Sequence, residues 1–126
     1  MPRVLVVEDD VPIASIVIEE LEHAGFDVVG AANGAEALAE LDRRIPDAIV
    51  LDLMMPVFHG WAFIEQYLQH TGGIPIPIVV VSAAGAVTRS METLGVRYFL
   101  PKPFDLQQLT RYVAEITRAP GHAPLA

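Results

Sequence analysis

The sequence predicts an α/β domain: a five-stranded parallel sheet, doubly wound, with helices on both faces. Three observations lead there. Short, almost wholly apolar runs rich in β-branched residues alternate with amphipathic stretches at helical spacing. The residues that close those runs are repeatedly acidic, hydroxylated or basic. With 126 residues, 52% of them hydrophobic, the chain suits one domain around one interior.

Val4-Leu5-Val6-Val7 is the first apolar run and reads as a strand covered on both faces. Asp10 can cap the following helix and Pro12 fits its first turn; Ile13, Ile16, Val17 and Leu21 form its apolar stripe, and Gly25 ends it. A second strand is expected near Asp27 to Ala31. Asn33 and Glu36 are a cap-and-return pair for a helix carrying Ala37, Leu38 and Leu41. Asn33-Gly34 is also a hairpin signal, but the helical pattern after it argues against one. Ala48 to Leu51 is the third strand, with Asp52 at its C-terminal end. After the loop from Met54 to Gly60, residues Trp61, Ile64 and Leu68 mark a third helix, broken at Gly72-Gly73. Ile76 to Val81 is the fourth strand and ends at Ser82. Val87, Met91 and Leu94 predict a short fourth helix closed by Gly95, and Tyr98 to Leu100 a fifth strand ending at Pro101-Lys102-Pro103. Asp105 and Gln108 can cap the last helix, whose core face is Leu106, Leu109, Val113 and Ile116. Residues 1–118 form the domain, and 119–126, with two prolines and no periodicity, read as a short flexible tail or truncated linker.

Composition removes several classes of function. With no cysteine there are no disulfides, thiolate metal sites or cysteine nucleophiles. A net charge of −8, from 16 acidic and 8 basic residues, repels a polyanion, so nucleic-acid binding by this domain is not expected. The N-terminus lacks the pattern of a signal peptide, and Ile74 to Val87 is too short and too interrupted by Pro75 and Pro77 to cross a membrane. The expectation is a cytoplasmic protein without membrane contact. His23, His59, His70 and His122 share no ligand spacing and read as surface residues.

In an open parallel sheet, ligands sit beyond the C-terminal ends of the strands. There the sequence places Glu8, Asp9 and Asp10 after the first strand, Asp52 after the third, Ser82 after the fourth and Lys102 after the fifth. An acidic pair alone usually solvates a loop, and a serine at a strand end usually caps a helix. Together they make a different set. Carboxylates gathered at one edge repel unless protonated or bridged by a cation, and oxygen donors without His or Cys point to Mg²⁺, or Mn²⁺, rather than zinc. A carboxylate can attack phosphorus to form an acyl phosphate, whose equatorial charge a metal, an ammonium and a hydroxyl can neutralise.

Val4-Leu5-Val6-Val7-Glu8-Asp9-Asp10, Ile49-Val50-Leu51-Asp52-Leu53-Met54-Met55-Pro56 with Gly60, Val81-Ser82-Ala83 and Lys102-Pro103-Phe104 resemble the receiver domain of bacterial two-component response regulators, from about Arg3 to about Arg118. The resemblance implies a flavodoxin-like sheet of order 2-1-3-4-5. It implies that Asp52 is the phosphoacceptor and that Glu8, Asp9, Asp52 and the backbone carbonyl of Met54 hold Mg²⁺. Ser82 and Lys102 then bind the phosphoryl group, Phe99 is the switch aromatic, and the bond before Pro103 is a candidate cis peptide. A histidine kinase or histidine phosphotransfer protein is the implied donor. The surface made by the fourth helix, fifth strand and last helix is the implied output face, for a downstream protein or a homodimer. The domain is then no enzyme beyond its own Mg²⁺-dependent phosphorylation and dephosphorylation.

The chain departs from the family pattern at His59, where aspartate is common, and at Phe99, where tyrosine is commoner. Met54 and Ala84 occupy the positions linked to hydrolysis rate; both are apolar, which predicts a long-lived acyl phosphate. Two other readings stay open here: an interaction module that works without phosphorylation, and an aspartate-nucleophile phosphohydrolase. The latter needs a second acid where Met54 stands.

Overall fold

A computed structural model describes residues 1–53, 60–82 and 95–118, with Gly60, Trp61 and Ser82 placed by their backbone. Along the chain come β1 (Arg3–Val7), α1 (Val11–His23), β2 (Asp27–Ala31), α2 (Gly34–Arg43), β3 (Ala48–Asp52), α3 (Gly60–His70), β4 (Ile78–Ser82), β5 (Val96–Pro101) and α4 (Leu106–Arg118). The strands form one parallel sheet in the order β2-β1-β3-β4-β5, as expected for the flavodoxin-like arrangement. The helix anticipated around Val87, Met91 and Leu94, the loop from Met54 to His59, Ala84 and the tail lie outside the described residues.

Alternation along each strand builds two cores. Leu5, Val7, Ile49, Leu51, Ile78 and Val80 face α2 and α3, where they meet Leu38, Leu41, Phe63, Ile64 and Tyr67. Val4, Val6, Val50, Val79 and Val81 face α1 and α4, against Val17, Leu21, Leu109, Val113 and Ile116. β3, at the centre, is buried at every residue. That is why its sequence shows a continuous apolar run rather than an alternating one.

The helix starts follow their capping chemistry. Asp10 Oδ1 accepts the Ile13 N–H at 3.2 Å, and Pro12 sits in the first turn of α1. Asn33 Oδ1 accepts the Glu36 N–H at 2.9 Å, while Glu36 Oε1 reaches back to the Ala32 N–H at 2.8 Å. Asn33-Gly34 therefore opens a helix and not a hairpin. Asp105 Oδ1 accepts the Gln107 and Gln108 N–H groups at 2.8 and 3.3 Å. The Gln108 side chain does not join that cap; it donates to the Tyr112 hydroxyl at 3.0 Å.

Two boundaries and one facing differ from expectation. β4 begins at Ile78, not Ile76, because Pro77 has no N–H to give a ladder; Ile76 is buried just before it. β5 runs from Val96 to Pro101, longer at both ends than Tyr98 to Leu100. Ile16, counted on the core stripe of α1, is 53% exposed. Val17 and Leu21 hold that contact, with Ile13 and Ile18 partly buried beside them.

Candidate functional site

Strand order reverses between β1 and β3, and the site lies beyond their C-terminal ends. Val7 pairs with Leu51, so Glu8 emerges beside Asp52. Asp52 pairs with Val81, which puts Ser82 one residue farther on, and Ser82 pairs with Pro101, immediately before Lys102. Register alone thus gathers residues from four strands at one edge.

Asp52 is 3% exposed and Glu8 is 7% exposed, among otherwise apolar buried neighbours, while Asp9 reaches solvent. Carboxylate oxygens of Glu8, Asp9 and Asp52 lie within 4.8 Å of one another. The Lys102 ammonium bridges the buried pair, 3.0 Å from Asp52 Oδ2 and 3.5 Å from Glu8 Oε1. The other Glu8 oxygen accepts the Asp10 N–H at 3.1 Å. Asp10 therefore serves twice, as the cap of α1 and through its backbone as a tether for Glu8.

Electrostatics follow from this crowding. Burial pushes the Glu8 carboxyl up to about 7; the Asp10 N–H and Lys102 pull the other way, and the charge on Asp52 adds to the rise. For Lys102 partial burial acts downward, but the hydrogen bond and charge of Asp52, and then Glu8, outweigh it and the ammonium is held above its ordinary value. The donor set is all oxygen, drawn from carboxylates, and one of them sits in an environment that disfavours its charge. A hard divalent cation fits that set.

Among the described residues, Phe99, Ser82 and Pro103 also lie toward the C-terminal ends of β4 and β5 or just after them. Phe99 is partly buried against the core under α2 and α3. The Lys102–Pro103 peptide bond is cis. Ser82 is the last residue of β4, and Met54 lies outside the described residues. Sequence reasoning paired Lys102 with a phosphoryl group and missed its contact with Glu8. It also missed an apolar groove of about 480 Å³ next to Lys102, between Ile13 and Ile16 of α1 and Pro103, Phe104 and Leu106. No local signal marked it: Ile16 fits the apolar stripe of α1 by spacing, and only the packing of the helix leaves it 53% exposed.

Residues 4–114 match the model of the response regulator receiver domain. The chain belongs to that family. Among its relatives, the DNA-binding dual master transcriptional regulator RpaA of Synechocystis sp. is 31% identical over 128 residues, covering 100% of this chain and 53% of RpaA. The transcriptional regulatory protein PrrA of Mycobacterium tuberculosis is 37% identical over 122 residues, 95% of this chain and 52% of PrrA. This receiver domain thus spans about half the length of those relatives. Among solved structures, the receiver domain of the Francisella response regulator 1452 superposes with a TM-score of 0.80 at 30% identity, covering 94% of this chain and 98% of that one. The Vibrio cholerae chemotaxis protein CheY4 does so with a TM-score of 0.81 at 28% identity, covering 92% and 98%.

Proposed function

We propose that this receiver domain accepts a phosphoryl group on Asp52 in a Mg²⁺-dependent reaction. The donor is a histidine kinase or histidine phosphotransfer protein, and the product changes the surface formed around β5 and α4. One observation carries this reading: a nearly buried carboxylate at the end of the central strand, with an ammonium 3.0 Å away and two further carboxylates within 4.8 Å.

Glu8, Asp9 and Asp52, with the Met54 carbonyl, would hold the metal. Bound there, it would offset carboxylate repulsion and neutralise charge on the transferring group. An Asp52 oxygen attacks phosphorus as the bond from phosphorus to the donor's imidazole nitrogen breaks, and the electron pair returns to the imidazole, which takes a proton. Burial of Asp52 keeps competing water from the reacting edge. Lys102 already lies against the attacked carboxylate, so a short shift carries its ammonium from Asp52 and Glu8 onto a phosphoryl oxygen. Ser82, next in register, supplies a hydroxyl, and Phe99 repacks behind it. Both arrangements pre-exist, and the modification shifts their populations.

A small phosphodonor with Mg²⁺, followed by intact mass, tests the reading. The expected result is one phosphoryl increment on the wild type, none in the presence of chelator and none on Asp52→Asn. Labelling of Asp52→Asn at the wild-type level would exclude Asp52. An unmodified wild type with Mg²⁺ bound would favour an interaction module that works without phosphorylation. Phosphate release timed afterwards checks the long lifetime expected from Met54 and Ala84; loss within seconds would contradict it.

A further inference from the structure

Far from the acidic edge, at the other end of β4 and β5, three elements converge on one phenol. Tyr67 of α3 is fully buried and stacks on Phe63. Its hydroxyl accepts the Ile76 N–H, just before β4, at 3.2 Å. It also walls in Gly95, just before β5. A Cβ on Gly95 would stand 2.8 Å from the Tyr67 hydroxyl and 2.4 Å from the Ile76 carbonyl oxygen. With φ of +98°, Gly95 is held in a conformation that other residues resist, and its carbonyl accepts the Ile78 N–H at 2.8 Å.

Directly beyond this junction the β4–β5 register slips. Ile78 pairs with Val96, but Val79 pairs with Tyr98, so Arg97 is an extra residue in β5. The slip decides which way the strand faces. Residues three apart on a regular strand point to opposite faces. Val96 and Phe99 nevertheless both pack on the α2–α3 side, and Tyr98 and Leu100 on the α1–α4 side. Without the extra residue, Phe99 would lie on the other face.

We propose that the Tyr67 hydroxyl is a positioning group for the switch. By bonding the entry of β4 at Ile76 and closing off the space beside Gly95 at the entry of β5, it holds the bulge at Arg97 and so the face of the sheet on which Phe99 stands. The importance of that face rests on the switch role proposed for Phe99; the clamp itself does not.

The test uses the whole chain with Tyr67→Phe, which removes one oxygen and keeps the ring. Amide hydrogen exchange is measured at Ile76, Ile78 and Val96 to Leu100, with Val4 to Val7 of β1 as the internal reference for global opening. Phe99 ring resonances are recorded before and after phosphodonor treatment. The expected outcome is exchange about tenfold faster or more near β5, the scale of one lost buried hydrogen bond. Acceleration in β1 should be smaller, and the Phe99 resonances shifted or doubled. Uniform acceleration in β1 and β5, or a Phe99 ring unchanged from wild type, would reduce Tyr67 to a packing residue and overturn the proposal. Asp52 labelling is scored separately. A wild type that takes no phosphoryl group sinks the proposed function while the exchange comparison still judges the clamp.

Discussion

Glu8 sits where burial works against its charge. In the metal-free protein its carboxyl titrates near 7, against about 4.5 for an unburied one. Between those values the folded protein binds more protons than the unfolded chain, so stability falls as pH rises through that window. With chelator present, denaturation midpoints should therefore drop between about pH 4.5 and 7, and Glu8→Gln should flatten the slope. A wild-type midpoint that climbs across the window would refute the assignment. Lys102 offsets part of the crowding. Replacing it with methionine leaves two buried carboxylates without their ammonium, and should cost the metal-free protein about 1–3 kcal/mol by the ordinary penalty for an uncompensated buried group. Saturating Mg²⁺ should recover much of that loss; equal destabilisation with and without the ion would show that the lysine acts only by packing. These residues were visible in the sequence because each closes an apolar run. The contact between Glu8 and Lys102 was not, because nothing in either residue's neighbourhood states how close two strand ends three positions apart in the sheet will come.

Elements were legible in proportion to how local their determinants are. Asp10, Asn33 and Asp105 cap helices through bonds within three residues, and all three were readable. Asn33→Ala should cost about 1 kcal/mol, the usual worth of such a cap, with no effect on Asp52 labelling; a loss of labelling would mean that α2 is tied to the site in a way its position does not suggest. Facing was harder. Ile16 has the right spacing for the stripe of α1, yet which isoleucine turns inward depends on the crossing of α1 over β1 and α4, a tertiary matter. β5 was the least legible element. Its bulge at Arg97 lies just beyond Gly95, which meets Tyr67, 28 residues earlier in the numbering, and no local pattern carries that information.

On the scale of the whole molecule, the sheet collects negative charge at one edge of a protein already carrying −8. The fold brings Glu8, Asp9 and Asp52 within 4.8 Å, and their repulsion is relieved on unfolding. A divalent ion that binds this arrangement and not the separated chain must then stabilise the fold by mass action. At an ion concentration about 100 times its dissociation constant the gain is about 2.7 kcal/mol. The measurement is a denaturation series against Mg²⁺, with the wild type beside Asp9→Asn and Asp52→Asn. The wild-type midpoint should rise with the logarithm of Mg²⁺ concentration once the site is half filled. Each variant removes one charge from the cluster, so it should start more stable than wild type without the ion and gain less with it. Screening separates this from a general salt effect: sodium at matched ionic strength should lift all three proteins alike. If the three respond identically to Mg²⁺ as well, the acidic edge binds no ion, and Mg²⁺-dependent phosphorylation at Asp52 loses its physical basis.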